Sequence, residues 1–490
     1  MDNAVTSAPH IVVVGGGVSG LAAAHRLLGA GARVTLLEAT TTLGGKLLAG
    51  QIAGAPVDLG AESMLARRPE GVALARAVGL GDRLQAPATA TASIWTRGAL
   101  RPMPKGHVMG VPAHPEALHD ILSAEGLARI AQDRELPPTE VGEDIGVGEF
   151  VAKRVGREVV DRLVEPLLGG VYAGDAYKIS MRAAVPQLFE AARSHGSLLD
   201  GVQDIQAKAA ANQQTGPVFA GLDGGIGTLP GAIADAVRAA GGEIRTDTPV
   251  LALTLRCDHR LHRSGCRRED GCGWQIRTDT ELIAADGVVL SAPAWAASAL
   301  LAAESPVAAA ELSEVEYASM ALVTLAFRRG DLAGLDERSG FLVPPVDGRT
   351  IKASTFSSYK WKWVSDRASD LFVLRTSIGR YGEEEHLGWD DADLVDVSLG
   401  DLGEAVGLSA KPVATEVTRW IGGLPQYPVG HLAKVARVRA EVAKLPGLRV
   451  CGAAYDGVGI PACIASAQRA ADEIIATSTL AQNTRSDAGQ

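Results

Sequence analysis

Ile11 to Val14 is a short β-branched run, the mark of a strand buried on both faces. It ends directly in Gly15-Gly16-Gly17-Val18-Ser19-Gly20, and a helix pattern opens with Leu21, Ala22, Ala23 and Ala24. Such a start leaves little freedom. Gly15 permits the tight turn, Gly17 lets backbone approach a pyrophosphate, and Gly20 lets helix and strand pack closely. The helix N-terminus then offers free N–H groups and a partial positive charge to the phosphates. A second strand, Arg33 to Leu37, runs into Glu38-Ala39, an acid at the spacing that meets ribose hydroxyls. A Gly-rich turn without a ligand leaves Glu38 unexplained. The segment is therefore predicted to hold a dinucleotide on a doubly wound α/β sheet.

Two further strings accompany this start. Gly44-Gly45-Lys46 follows the second strand, and Asp58-Leu59-Gly60-Ala61-Glu62-Ser63 follows that. Near the other end, Leu448 to Ile474 reads LRVCGAAYDGVGIPACIASAQRAADEI. The glycine doublet and the Asp58 to Ser63 loop resemble the flavin amine oxidase superfamily. There the loop runs under the flavin ring, so the resemblance favours FAD over NAD. The C-terminal string implies that the chain returns to the same fold and closes the site from the far side.

The chain has 490 residues, which suits two or three domains, and 47% are hydrophobic, which suits a large core. Net charge is −10, with no basic tail, so nucleic acid is not an expected partner. Met1 to Pro9 has no apolar leader pattern. The apolar stretch Val288 to Ala303 is interrupted by Ser291, Pro293 and Ser298, so it reads as a strand and a helix, not a transmembrane segment. Five scattered cysteines argue for reduced thiols and a cytoplasmic location.

The expected fold class is α/β, α+β overall. A Rossmann-like FAD-binding domain comes with an antiparallel-sheet substrate domain and an inserted helical domain. Residues 1–85, 215–304 and 412–478 are assigned to FAD binding, 86–112 and 305–411 to the substrate domain, and 113–214 to the helical insert. Residues 479–490 are expected to be a disordered tail. A helix is expected from Gly231 to Ala240, and another beginning near Ala462.

GGVYAGDAYKIS (Gly169 to Ser180), FAGLDGGIGTLPGAI (Phe219 to Ile233), KASTFSSYKWKW (Lys352 to Trp363), RWIGGLPQYPVGHL (Arg419 to Leu432) and CGAAYDGVGIPACIASA (Cys451 to Ala467) carry a closer likeness. They resemble the oxygen-dependent porphyrinogen oxidases of haem synthesis over nearly the whole chain. TFSSYKW and RPMPKGHVMGVP (Arg101 to Pro112) are more similar to the coproporphyrinogen III branch than to the protoporphyrinogen IX branch. The resemblance implies six-electron oxidation of coproporphyrinogen III to coproporphyrin III, with three O2 reduced to H2O2. It implies non-covalent FAD and a hand-off of product to a ferrochelatase. Protoporphyrinogen IX, an amine substrate and a catalytically silent FAD-binding partner protein are the alternatives. An aromatic content of 4% supplies little for an amine cage.

Cofactor contacts are expected from Gly15 to Gly20, Glu38, Ala39, Gly45 and Lys46. By resemblance, Gly60, Ala61, Glu62 and Ser63 line the flavin edge, Val250 backs the adenine and Trp420 touches the cofactor. Val458, Gly459 and Ile460 lead into a helix whose N-terminus faces the pyrimidine edge, stabilising negative charge there. No catalytic base is assigned. Four propionates call for cations, and the candidates are Arg67, Arg68, Arg97, Arg101, Lys105 and Lys178, with His431. The protoporphyrinogen branch places an arginine near Ala92. This chain has none there and offers Arg67 and Arg68 instead. Cys257, His259, His262, Cys266 and Cys272 match no zinc spacing and lie among arginines, so 256–272 reads as an exposed insertion and no metal is expected.

Overall fold

The computed structural model describes residues 8–211, 216–256, 273–332 and 334–477. The insertion beyond Arg256 and the C-terminal tail lie outside the described residues.

The predicted strand–turn–helix forms as β1 (His10–Val14) and α1 (Val18–Gly29), followed by β2 (Arg33–Leu37). Three strands from distant parts of the chain join them: β3 (Glu243–Arg245), β4 (Gly287–Leu290) and β5 (Leu448–Val450). The sheet order is β3-β2-β1-β4-β5, and every pairing is parallel. Both β1 and β4 are buried along their whole length, as a sheet covered on two faces requires. On one face, α1 packs with α2 (Leu229–Ala239) and α3 (Ile460–Thr477). The small residues Ala22, Ala23 and Ala24 let these helices come close. Helices Ala294–Leu301 and His431–Val442 cover the other face. Helix α2 begins two residues before the expected Gly231 because Pro230 fits the first turn, where its missing N–H costs nothing. Pro461 plays the same part in α3, which opens ahead of the expected Ala462.

A seven-stranded sheet stands beside this layer. Its order is Ala414–Pro425, Tyr317–Arg328, Leu371–Ile378, Ile351–Thr355, Gly340–Leu342, Ala92–Thr96, Ala99–Pro102. All pairings are antiparallel except Gly340–Leu342 with Ala92–Thr96. The expected division at residue 412 falls just before Ala414–Pro425, which pairs with Tyr317–Arg328 from Tyr317↔Pro425 to Ala326↔Ala414.

Between Ala113 and Ala211 the chain is helical around its own core of Ile130, Phe150, Val151, Leu163, Leu188 and Val202. Arg154, 1% exposed, is the staple of this layer. It donates to Asp133 Oδ1 (2.7 Å), Pro137 O (2.6 Å) and Gly196 O (2.8 Å), while Asp133 Oδ2 accepts from Ser197 Oγ and the Leu199 N–H. A π-helical turn, Val160–Val164, precedes the helix Glu165–Tyr172. Pro166 explains it, since proline cannot donate to the carbonyl four residues back.

Candidate functional site

The N-terminal glycines are shaped by what surrounds them. A Cβ on Gly20 would stand 1.8 Å from Gly15 O, so only glycine lets α1 pack against the turn. Gly15, at φ +104°, would drive a Cβ to 2.7 Å from Ser291 O. At Gly17 the opposite holds: a Cβ would meet nothing within 4 Å. Gly17 caps α1 and no side chain bonds the first-turn N–H groups. That is an open approach to a helix N-terminus, the geometry a phosphate needs.

The walls of this cradle come from the other predicted strings. Glu38 is half-buried and pinned, with Oε2 accepting from the Gly16 N–H (2.6 Å) and Oε1 from the Thr40 N–H (2.8 Å). Ala39 is exposed beside it. The Gly44 N–H donates to Gly16 O (2.9 Å), laying the Leu43 to Lys46 loop over the glycine turn, with Gly45 against Gly17. Lys46 is exposed at the end of this loop. Desolvation lowers its ammonium pKa, partly offset by Glu38.

The Asp58 to Ser63 loop is held from both sides. The Ala61 N–H donates to Lys46 O (3.0 Å), and a Cβ on Gly60 would lie 2.1 Å from that same oxygen and 3.1 Å from the Trp420 ring. Trp420 Nε1 donates to Leu59 O (3.1 Å), so the sheet and the loop meet at the tryptophan. Glu62, 8% exposed, lies between Lys360 Nζ (2.5 Å) and Arg375 Nη2 (3.1 Å). Burial pushes its carboxyl up, but Arg375 and Lys360 outweigh that and hold it below its usual value. Ser63 is half-buried at the end of the loop.

Asp58 is a residue the sequence reading did not single out for its own contacts. It accepts from the Ile226 N–H (3.0 Å) and Gly227 N–H (2.8 Å), tying the loop to the turn before α2. Burial raises its pKa to about 6. The only available signal was its place before Leu59-Gly60, since its partners lie far along the chain.

The C-terminal string arrives as expected. Cys463, in the first turns of α3, is close enough to Ser19 for a hydrogen bond that lowers its pKa, and burial outweighs this to leave the thiol at about 11. Val458 is half-buried, Gly459 exposed, and Ile460 buried against the α1 core. The starts of α1 and α3 therefore face one site. Val250 is half-buried against the β1–β4 core. Cys451 is fully buried at the end of β5, and desolvation pushes its thiol to about 12.

The predicted cations divide. Arg67 is exposed and has no hydrogen bond or ion pair among the described residues. Arg68 caps the helix Pro69–Ala77 and pairs with Glu70 (2.8 Å). That helix abuts α3, since a Cβ on Gly71 would lie 3.5 Å from Pro461. Arg97 is not free: it donates to Ile121 O (2.8 Å) and pairs with Glu158. Arg101 stands 3.8 Å from Asp120, and Lys105 is exposed. Lys178 is exposed, 5.1 Å over the Tyr381 ring. His431 lies at the start of the helix His431–Val442. It is buried, stacks on Tyr427 at 3.8 Å, and burial lowers its pKa to about 4, so it is neutral.

A model of the family described as flavin-containing amine oxidoreductase matches residues 18–475. The chain belongs to the flavin-containing amine oxidoreductase family. FAD is its cofactor. Within this family the chain is 37% identical to the coproporphyrinogen III oxidase of Mycobacterium tuberculosis over 467 residues, covering 94% of this chain and 96% of that one. The Bacillus subtilis coproporphyrinogen III oxidase is 32% identical over 479 residues, covering 95% and 98%. The crystal structure of an Exiguobacterium protein described provisionally as a protoporphyrinogen oxidase superposes with a TM-score of 0.82 at 33% identity, covering 96% of this chain and 99% of that one. No helix among the described residues is long and apolar enough to cross a membrane.

Proposed function

We propose that this chain is a FAD-dependent oxidase that converts coproporphyrinogen III to coproporphyrin III. The observation that carries the reading is the end-to-end likeness to chains named for that activity, on a fold whose glycine turn, acid and second helix N-terminus would together hold a dinucleotide. Bound FAD supplies a two-electron acceptor that O2 can reoxidise. Three such rounds remove six hydrogens from the macrocycle and yield three H2O2.

The protein's part is to bind, orient and polarise. Gly15 to Gly20 with the start of α1 would hold the pyrophosphate, and Glu38 and Ala39 the adenosine ribose, backed by Val250. Gly45, Lys46, Gly60 to Ser63 and Trp420 would frame the ring. Val458 to Ile460 and the start of α3 would favour negative charge at its pyrimidine edge. Cys451, buried as a neutral thiol, is poorly placed as a covalent tether, so we assign non-covalent FAD. Arg67, free at the mouth beside α3, is the first candidate for a propionate.

The test is oxidation of coproporphyrinogen III and, separately, protoporphyrinogen IX by purified holoprotein in air, followed by porphyrin fluorescence and H2O2. Faster turnover of the four-propionate substrate supports the reading. Preference for protoporphyrinogen moves the chain to the other branch. An intact flavin with neither turnover refutes both.

A further inference from the structure

Lys352 is 6% exposed, and its ammonium has one hydrogen bond, to Gly379 O at 2.6 Å. No carboxylate among the described residues lies within ion-pair distance of it. The charge that acts on it most is another cation, Arg380, also buried, and Glu384 opposes that effect from beyond ion-pair distance. Arg380 donates to Val343 O (3.1 Å) and reaches Glu383 only at 3.8 Å, through an exposed carboxylate. Burial and the Arg380 charge lower the Lys352 pKa to about 7, and an anion joining the two would favour the charged lysine. The neighbouring acids, Glu384 toward Lys352 and Glu165 toward Arg380, act from beyond ion-pair distance and also hold backbone N–H groups. Glu384 Oε1 accepts from the Ser319 N–H (2.6 Å), and Glu165 Oε2 from the Ala176 N–H (2.7 Å). Burial raises the Glu165 pKa to about 7, which weakens it as a counter-charge.

The backbone is arranged to make this pair. Pairing passes from Ile351↔Ile378 to Ala353↔Ser377, so Lys352 is the extra residue of a β-bulge, a device that re-aims a side chain. The strand carrying Trp420 is irregular just past that residue, where Ala318 faces Leu424 and Met320 faces Trp420. The levels connect across the sheet through Ala321↔Ile378 and Ile378↔Ile351. Lys352 thus stands three strands from Trp420 and one to two residues off its level, roughly 15 Å away at about 4.8 Å per strand.

There is room beside it. The Tyr381 N–H donates to Ala173 O (2.6 Å), so the end of the Arg380 strand abuts the helix Glu165–Tyr172. On that helix Gly169 is buried, yet a Cβ there would meet no atom within 4 Å. Gly170 would meet only Leu342, at 3.8 Å. Gly170 and Val171 beside it are exposed, so this end of the helix lies at the surface.

We propose that Lys352 and Arg380 form a carboxylate-binding pair that takes one propionate of the porphyrinogen, three strands along the sheet from Trp420. This rests on the functional reading above and extends it to a specificity site. A tetrapyrrole lying across the sheet carries its carboxylates at the periphery, where such a pair meets one.

The experiment is titration of holoprotein with coproporphyrin III, and with its tetramethyl ester, following porphyrin fluorescence. Wild type, K352M, K352Q and K352R are compared, with thermal melts and coproporphyrinogen III kinetics on each. K352M and K352Q are expected to weaken coproporphyrin III roughly thirtyfold or more and to raise KM much more than they lower kcat. K352R is expected to restore most of the affinity, and the ester to bind all four alike. Folded K352M or K352Q that binds coproporphyrin III as wild type does, while wild type oxidises the porphyrinogen, overturns the pair and leaves the functional reading standing. Wild type that neither binds nor oxidises overturns both.

Discussion

Gly17 and Gly20 share one turn, yet alanine should fail at each for a different reason. At Gly17 φ is −68°, a backbone any residue adopts, and a Cβ would meet no protein atom within 4 Å. G17A therefore leaves the flavin-free chain unstrained. The space its methyl fills is the approach to the start of α1, where a pyrophosphate must come close. At Gly20 the Cβ would stand 1.8 Å from Gly15 O, well inside the 3.0 Å that real contacts respect. Both atoms are tied to main chain, so α1 must shift by more than 1 Å. Overpacking of this kind costs about 1–3 kcal/mol. Urea unfolding of flavin-stripped protein should show that loss for G20A and none for G17A. FAD titration should show both variants weakened, G17A by about 10- to 100-fold, or about 1.4–2.7 kcal/mol. G17A that destabilises the stripped protein as G20A does, or that binds FAD as wild type does, refutes the assignment of that space to the pyrophosphate.

Three other perturbations follow from buried charge. R154M strands Asp133, 0% exposed on its side chain, without its cation, and should cost about 3–5 kcal/mol in urea unfolding. An unchanged midpoint would mean that the backbone donors alone hold the carboxylate. E62Q removes the charge that Lys360 and Arg375 share, and should cost about 2–3 kcal/mol. Because Arg375 also donates to Gly60 O (2.8 Å), E62Q should lower the flavin-to-protein ratio after desalting as well. His431 gives a pH signature. Its pKa is about 4 in the folded chain against 6.5 unfolded, so the unfolded chain binds the extra proton between those values. Stability carried by neutral His431 is full above pH 6.5 and lost as pH falls toward 4, by up to about 3 kcal/mol. H431Q should flatten the stability profile in that window by this amount relative to wild type. Comparing the two cancels the opposite trends of Asp58 and Glu165, whose raised pKa values make their burial most costly as pH rises. Parallel profiles would place His431 in a hydrated pocket.

The cradle was legible in the chain because its chemistry is local and largely main-chain. Gly15, Gly17, Gly20 and Glu38 act through turn geometry and N–H groups within one strand–turn–helix–strand unit, and spacing alone positions them. The return of Leu448 to Ile474 was legible because Pro461 and the preceding glycines announce a helix start. The limits appear where a side chain's role depends on a distant partner. Arg97 reads as a spare cation, but Glu158 lies across the helical layer and claims it. His431 reads as a polar loop residue, but Tyr427 and Tyr455 bury it. Lys352 is not among the cations that the sequence singles out, because a bulge leaves no mark in residue order. The two parts of the site therefore differ in kind. Phosphate recognition uses atoms every residue carries, so the pattern of side chains that are absent reveals it. The proposed substrate contacts depend on which cations the fold leaves weakly paired, and that remainder exists only after every other pairing has been made.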